Sequence, residues 1–152
     1  LILSAITDPH LVQSFMTIDE VWCLASDDCG ISKDAYMPEF SAERAWLGVY
    51  EGIVMIGMIY VHKQTTCAIQ MHPYLLSGHK HKIRDVMKLF FAWAFNMQNV
   101  HKINVTIPFM YKKLRNCCLK VGFKDEGINR LSYQKGGVLM DQWHMGVTRG
   151  DL

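Results

Sequence analysis

At 152 residues, half of them apolar and a fifth charged, the chain has the size and make-up of one soluble globular domain, and chains of about this length bury roughly 68–70% of their unfolded surface. That composition excludes a disordered chain, and a formal net charge of +2 is too small to imply a nucleic-acid partner. The longest apolar run, Ile53 to Val61, is far shorter than the ~20 residues a membrane helix needs and is broken by Gly57, so it reads as a buried strand and no membrane partner is expected.

Taken in chain order, Leu1 to Ile6 reads as a first strand. Thr7 or Asp8 can cap a helix with Pro9 at its first position, and Leu11, Val12, Phe15 and Met16 recur at helical spacing. A second apolar segment, Val21 to Leu24, leads into a polar, turn-rich loop that runs from Ser26 to about Pro38. From Arg44 the pattern is that of hairpins. Ala45 to Tyr50 and Ile53 to His62 flank Glu51-Gly52, a connection suited to positive φ. Thr65 to Met71 adds a third strand to this antiparallel meander, which ends at His72-Pro73.

The next stretch carries the most chemical information. Ser77-Gly78-His79-Lys80-His81-Lys82 is a basic, glycine-containing loop, and it opens a helix whose apolar face is Ile83, Val86, Met87, Phe90, Ala94 and Phe95. A strand end, a flexible loop and a helix start leave backbone N–H groups free in one place, with the positive end of the helix dipole behind them. Such a place binds anions, and the expected ligand is phosphorylated. Lys102 to Ile107 then forms a strand ending at Pro108. A further helix reaches about Val121, with Leu114, Cys117, Cys118 and Val121 inward and Gly122 at its C-terminal cap. Leu131 to Gln134 and Val138 to Val147 flank Lys135-Gly136-Gly137 as a closing hairpin. The five cysteines are odd in number and show no C-x-x-C spacing, so reduced thiols and a cytoplasmic setting are expected; no signal-peptide pattern is visible.

This order of elements resembles the GNAT (GCN5-related) N-acetyltransferases over nearly the whole chain. Three matches carry the resemblance. His72-Pro73 stands where the family's central strand ends before its pyrophosphate loop. Leu119 to Gly127 looks like the family's K-L-G-F-x-x-E-G segment, and Asp141 to Arg149 looks like the D-x-x-x-x-x-x-x-R last strand. The resemblance implies an α+β fold in one domain over residues 1–152, with a mixed, twisted sheet of about six or seven strands and helices on both faces. It also implies acetyl-CoA as co-substrate. The pantetheine arm would pair with strand backbone around Ile69 and Met71 in a gap between two splayed strands. Ser77, Gly78, His79, Lys80, His81 and Lys82 would hold the pyrophosphate. At the loop the sequence departs from the family's R/Q-x-x-G-x-G/A pattern, since Gly78 alone survives, and charge on His79, Lys80 and His81 would replace lost backbone contacts.

Acyl transfer to an amine asks for a base to free the nucleophile and an acid for the leaving thiolate. The resemblance makes His72, at the end of the cofactor-contacting strand, the candidate base, and Tyr111 or Cys118 the candidate acid. No carboxylate or cysteine completes a ligand set with His72, His79 and His81, and the interleaved lysines oppose a cation, so no metal is expected. Acceptors of the family are amine-bearing small molecules or proteins. The acidic residues between Ser26 and Glu43 could attract one. Two functions stand side by side: an N-acetyltransferase working by direct attack in a ternary complex, and a binding or assembly protein that keeps the fold without the reaction. The aromatics, the methionines and the C-terminal strand are similar to those of phage-encoded GNAT-like proteins of virion assembly. Excess apolar surface would serve a homodimer.

Overall fold

Strand burial alternates with the pleat at the centre of the molecule: Ile103, Val105 and Ile107 are buried while their neighbours are half-open. The computed structural model describes residues 1–152. In chain order the elements are β1 (Ile2–Ile6), α1 (Pro9–Met16), α2 (Asp19–Ala25), β2 (Arg44–Glu51), β3 (Val54–Lys63), β4 (Ala68–Leu75), α3 (Ile83–Phe95), β5 (Lys102–Pro108), α4 (Lys112–Lys120), β6 (Lys124–Lys135) and β7 (Val138–Thr148). They form one seven-stranded sheet in the order β1-β2-β3-β4-β5-β7-β6. Every neighbouring pair is antiparallel except β4 and β5. The expected α+β sheet of six or seven strands is therefore observed, with helices on both faces.

Each face has its own core. On one side α3 and α4 cover the sheet, where Met87, Phe90, Ile103, Ile107 and Met145 are almost wholly excluded from solvent. On the other, Val12, Phe15 and Met16 of α1 and Val21 of α2 pack on Ile6, Trp46 and Met58. The start of α1 follows its sequence signal, because the Asp8 side chain accepts from the His10 N–H at 2.9 Å and Pro9 takes the first turn. The end of α4 does so too. Gly122 has φ +112, and Phe123 N–H returns to the Cys118 carbonyl at 3.1 Å. No helix is long and apolar enough to cross a membrane.

Several boundaries differ from expectation, each for a local reason. Val21 to Leu24, read from the sequence only as an apolar segment, lies in the helix α2, where Asp19 and Glu20 favour the first turn and only Val21 is fully buried. The third strand begins at Ala68 because the Thr65 hydroxyl accepts from the N–H groups of Cys67 and Ala68, tying Thr65 to Cys67 into a turn. It does not end at His72-Pro73 but runs on to Leu75, with Pro73 opposite Ile59 of β3. In the β2–β3 hairpin Glu51 pairs with Val54, so the turn residues are Gly52, at φ +60, and Ile53. β6 starts at Lys124, well before Leu131. Its first nine residues lie exposed along the sheet edge, so no apolar alternation marks them.

Gly57 and Gly78 separate close packing from open space. A methyl on Gly57 would meet the Tyr74 carbonyl oxygen at 2.7 Å, whereas nothing lies within 4 Å of one on Gly78. Gly57→Ala should therefore lower the unfolding free energy by about 1–3 kcal/mol, and Gly78→Ala should change it by less than about 1 kcal/mol. Urea unfolding of the two variants beside the parent chain checks both values.

Candidate active site between the parting strands

β4 and β5 run parallel for only three residue pairs, ending at Gln70–Asn104. Hydrogen-bond phase explains why they part there. Lys102 N–H donates to the Cys67 carbonyl at 3.2 Å, so Lys102, Asn104, Thr106 and Pro108 turn their backbone groups toward β4. On β4, Leu76 N–H donates to Ile56 of β3 at 3.1 Å, so the odd residues Met71, Pro73 and Leu75 face away from β3 and toward β5. Beyond Asn104 the next rung would join Thr106 N–H to the Met71 carbonyl. The two after it would need N–H groups from Pro73 and Pro108, and proline has none. Two consecutive rungs are chemically impossible, and the strands diverge.

The opening is a cleft of about 1050 Å³ at the C-terminal ends of the only parallel pair, the position at which open α/β sheets bind ligands. α3 and α4 both begin at it. Lys80 and His81 reach it before the first helix, and Lys112 and Lys113 at the start of the second. Of the residues expected at the site, Met71, His72, Lys80, His81, Tyr111 and Cys118 line this cleft together. Ile69 does not. It sits where the ladder is still closed and borders a separate cavity of about 240 Å³ beneath Trp93 and Met97.

The basic loop is not an open glycine turn. Ser77–Lys82 winds as a 3₁₀ segment that runs directly into α3, and protein carboxylates engage part of it. Glu20 of α2 accepts from the Ser77 N–H at 3.2 Å, and the Ser77 hydroxyl together with that N–H holds its carboxyl below the usual carboxylate range. Glu51 pairs with Lys82 and lies 3.9 Å from His79. The sequence run is thereby divided: Lys80 and His81 face the cleft, while His79 and Lys82 turn to the β2–β3 hairpin.

The three candidate proton carriers differ in setting. His72 lies in a row of rings, 5.6 Å from Tyr60 and 5.4 Å from His62 between centroids, and its Nε2 is buried without a hydrogen-bond partner. Burial, with His62 beside it, lowers its pKa to about 4, so the imidazole is neutral at physiological pH. Cys118 is 1% exposed within the α3–α4 core, and burial pushes its thiol up to about 12. Tyr111 stands half-buried at the start of α4. The turn before it is anchored by Phe109, which stacks on Trp143 at 4.0 Å, and Arg115 covers the same indole at 5.0 Å.

Sequence reasoning missed Tyr133 and the polar row of β4, β5 and β7. The Tyr133 phenol lines the cleft, donates to the Ser26 carbonyl at 3.2 Å, and is held above its ordinary pKa by burial and by Tyr111, Asp27 and Asp28 nearby. Gln70, almost wholly buried, accepts from Gln64 at 2.6 Å and reaches Thr106 at 3.5 Å; Thr106 in turn contacts His144 at 3.1 Å. A glutamine in an otherwise apolar strand was the available signal. No group of three or more His, Cys, Asp or Glu side chains is placed to hold a metal ion.

No protein-family model matches this sequence, and no curated protein sequence matches it significantly. Solved structures do match its shape. A spermidine N-acetyltransferase from Vibrio cholerae, crystallised with CoA and spermine, superposes with a TM-score of 0.82 at 14% identity, covering 99% of this chain and 96% of that one. A chimeric form of the Vibrio cholerae enzyme gives 0.79 at 13% identity over 97% and 96%. A probable acetyltransferase gives 0.65 at 16% identity over 73% and 65%. With its seven-stranded sheet, single parallel pair and cleft at the point of divergence, the chain has the GNAT fold of these acetyltransferases.

Proposed function

We propose that the chain is an N-acetyltransferase that binds acetyl-CoA in the β4–β5 cleft and transfers the acetyl group directly to an amine. The observation that carries this reading is the ladder interrupted by Pro73 and Pro108, with two helix N-termini and four basic side chains around it. The amide-bearing arm of CoA supplies what the strands lack, a donor for the Met71 carbonyl and an acceptor for the Thr106 N–H. Its diphosphate approaches Gly78, where no side chain crowds the backbone, and is met by Lys80, His81 and the dipole of α3. Glu20 opposes that approach and must yield the Ser77 N–H.

In the reaction, a neutral acceptor nitrogen attacks the thioester carbonyl carbon, the C–S bond breaks, and the proton lost by nitrogen and the proton gained by sulfur pass through the cleft. His72 is proposed as the base, because it is unprotonated and borders the parting strands. Tyr111 is proposed as the acid in preference to Cys118. Its phenol neighbours Tyr133 at the cleft, while the thiol lies in the core. The engaged carboxylates favour the second reading, a fold retained for binding alone. The exposed Ile128, Leu131, Val138 and Leu139 on β6 and β7 would then meet a second copy or another partner.

Isothermal titration with CoA separates the readings. The parent chain should bind. Lys80→Ala combined with His81→Ala should weaken binding by at least about tenfold, given about 1.5–3 kcal/mol for a hydrogen bond to a charged group. Glu20→Gln should tighten it. Absence of binding at millimolar CoA rules the proposal out.

The proton state of His72 gives a second expectation. Its folded pKa of about 4 lies below the value of about 6.5 for a free imidazole. Above pH 6.5 both states are neutral and the His72 contribution to stability is complete. As pH falls from 6.5 to 4 the unfolded chain takes a proton that the folded one refuses, and stability drops by up to about 3 kcal/mol. Urea unfolding from pH 7 to 4 should show this slope, and His72→Gln should flatten it while lowering acetyl transfer at pH 7 by about 10²–10⁴-fold.

A further inference from the structure

The segment after α2 crosses to the far side of the cleft and is fastened there. The Ser26 carbonyl accepts from the Tyr133 hydroxyl at 3.2 Å and from Lys135 Nζ at 2.9 Å, and Lys135 also meets the Cys23 carbonyl. Asp28 N–H donates to the Gln134 carbonyl at 2.9 Å, and the Asp28 carboxylate accepts from the N–H groups of Gly136 and Gly137 at 2.9 and 2.8 Å. Residues 26–28 thus form a strap from α2 to the β6–β7 hairpin.

That strap carries Asp27, the only carboxylate lining the cleft. Other nearby acids are engaged elsewhere: Asp28 by the two glycine amides, Glu20 by Ser77, Glu51 by Lys82. Asp27 spends one oxygen on the Cys29 N–H at 2.9 Å. The cleft lining also holds the neutral groups of Tyr133, Ser132, Gln142 and Thr106, of which Ser132 donates to Gln142 at 3.0 Å and Tyr133 to Ser26, leaving their remaining donor or acceptor capacity to a ligand, and His72, whose Nε2 has no partner. A ligand with several ammonium groups would find one negative charge there, and Lys112 and Lys113 in the same lining.

Resting on the acetyltransferase reading, we infer that the acceptor is a small amine with a single positive charge and neutral polar groups, such as an amino alcohol, oriented by the strap carboxylate Asp27, and not a polyamine. Asp27 binds the ammonium form beside His72; the ammonium loses one proton to solvent, and the neutral nitrogen then attacks the thioester, passing its second proton toward His72. Tyr133, Ser132 and Gln142 take the neutral groups. The strap sets the width of the acceptor entrance through its bonds to the hairpin.

The test combines acetyl-CoA, 3-amino-1-propanol and spermidine with the parent chain and Asp27→Asn, which keeps an oxygen for Cys29 and removes only the charge. The parent chain should acetylate the amino alcohol with a kcat/KM at least equal to that for spermidine. Asp27→Asn should raise the KM for the amino alcohol about tenfold, with kcat within threefold and CoA affinity unchanged by calorimetry. A tenfold preference for spermidine overturns the inference, as does an Asp27→Asn effect on CoA affinity or kcat with KM unmoved. Failure of the parent chain to bind CoA removes the acetyltransferase reading and this inference together, whereas CoA binding with spermidine preferred removes this inference alone.

Discussion

Two prolines facing each other across a parallel strand pair shape everything that matters chemically in this molecule. Pro73 and Pro108 occupy successive rungs of the β4–β5 ladder on the sides where N–H groups are required. Neither strand is weakened elsewhere, because each keeps its antiparallel partner throughout: β3 for β4 and β7 for β5. The sheet therefore stays whole at its flanks and opens only in the middle. An opened ladder leaves polar backbone in need of partners. The region is already supplied with two helix starts, basic side chains and a neutral imidazole.

The rest of the architecture keeps that opening fixed. The larger core, centred on Phe90 and Met87 of α3, reaches the cleft at Met87 and continues to Cys118 of α4 and Val121 just after it. The smaller core holds α1 and α2 on the opposite face, and from α2 come both the carboxylate that engages Ser77 and the strap that reaches the β6–β7 hairpin. Cleft-facing groups are thus supplied from both faces of the sheet at one point. Glu20 and Asp27 play opposite parts in the proposed chemistry, one competing with an incoming diphosphate and the other attracting an ammonium.

Much of this was legible in the sequence because local rules sufficed. Asp8-Pro9, the apolar face from Ile83 to Phe95, and Gly122 each declare a helix end or face through interactions within a turn or two. The two prolines were visible singly, but that they share a ladder depends on the register between β4 and β5, which no local pattern specifies. Tyr133 escaped for the same reason, and Asp27 was visible only as one of several acids between Ser26 and Glu43, not as the one that meets Tyr133. Their meeting joins residues more than a hundred positions apart through an edge strand and a loop that carry no periodic signal. The basic run from Ser77 to Lys82 was identified as a unit, yet a 3₁₀ winding sends its side chains in different directions, and partners from α2 and the β2–β3 turn decide which of them face the cleft.

Amide hydrogen exchange, read residue by residue with and without CoA, tests the interrupted ladder most directly. Without ligand, the Thr106 and Leu75 amides should exchange far faster than those of Val105 and Tyr74, which bond to the flanking strands, and CoA should slow Thr106 markedly while leaving Val105 unchanged. A Thr106 amide already protected in the free protein, or one indifferent to saturating CoA, would contradict the account.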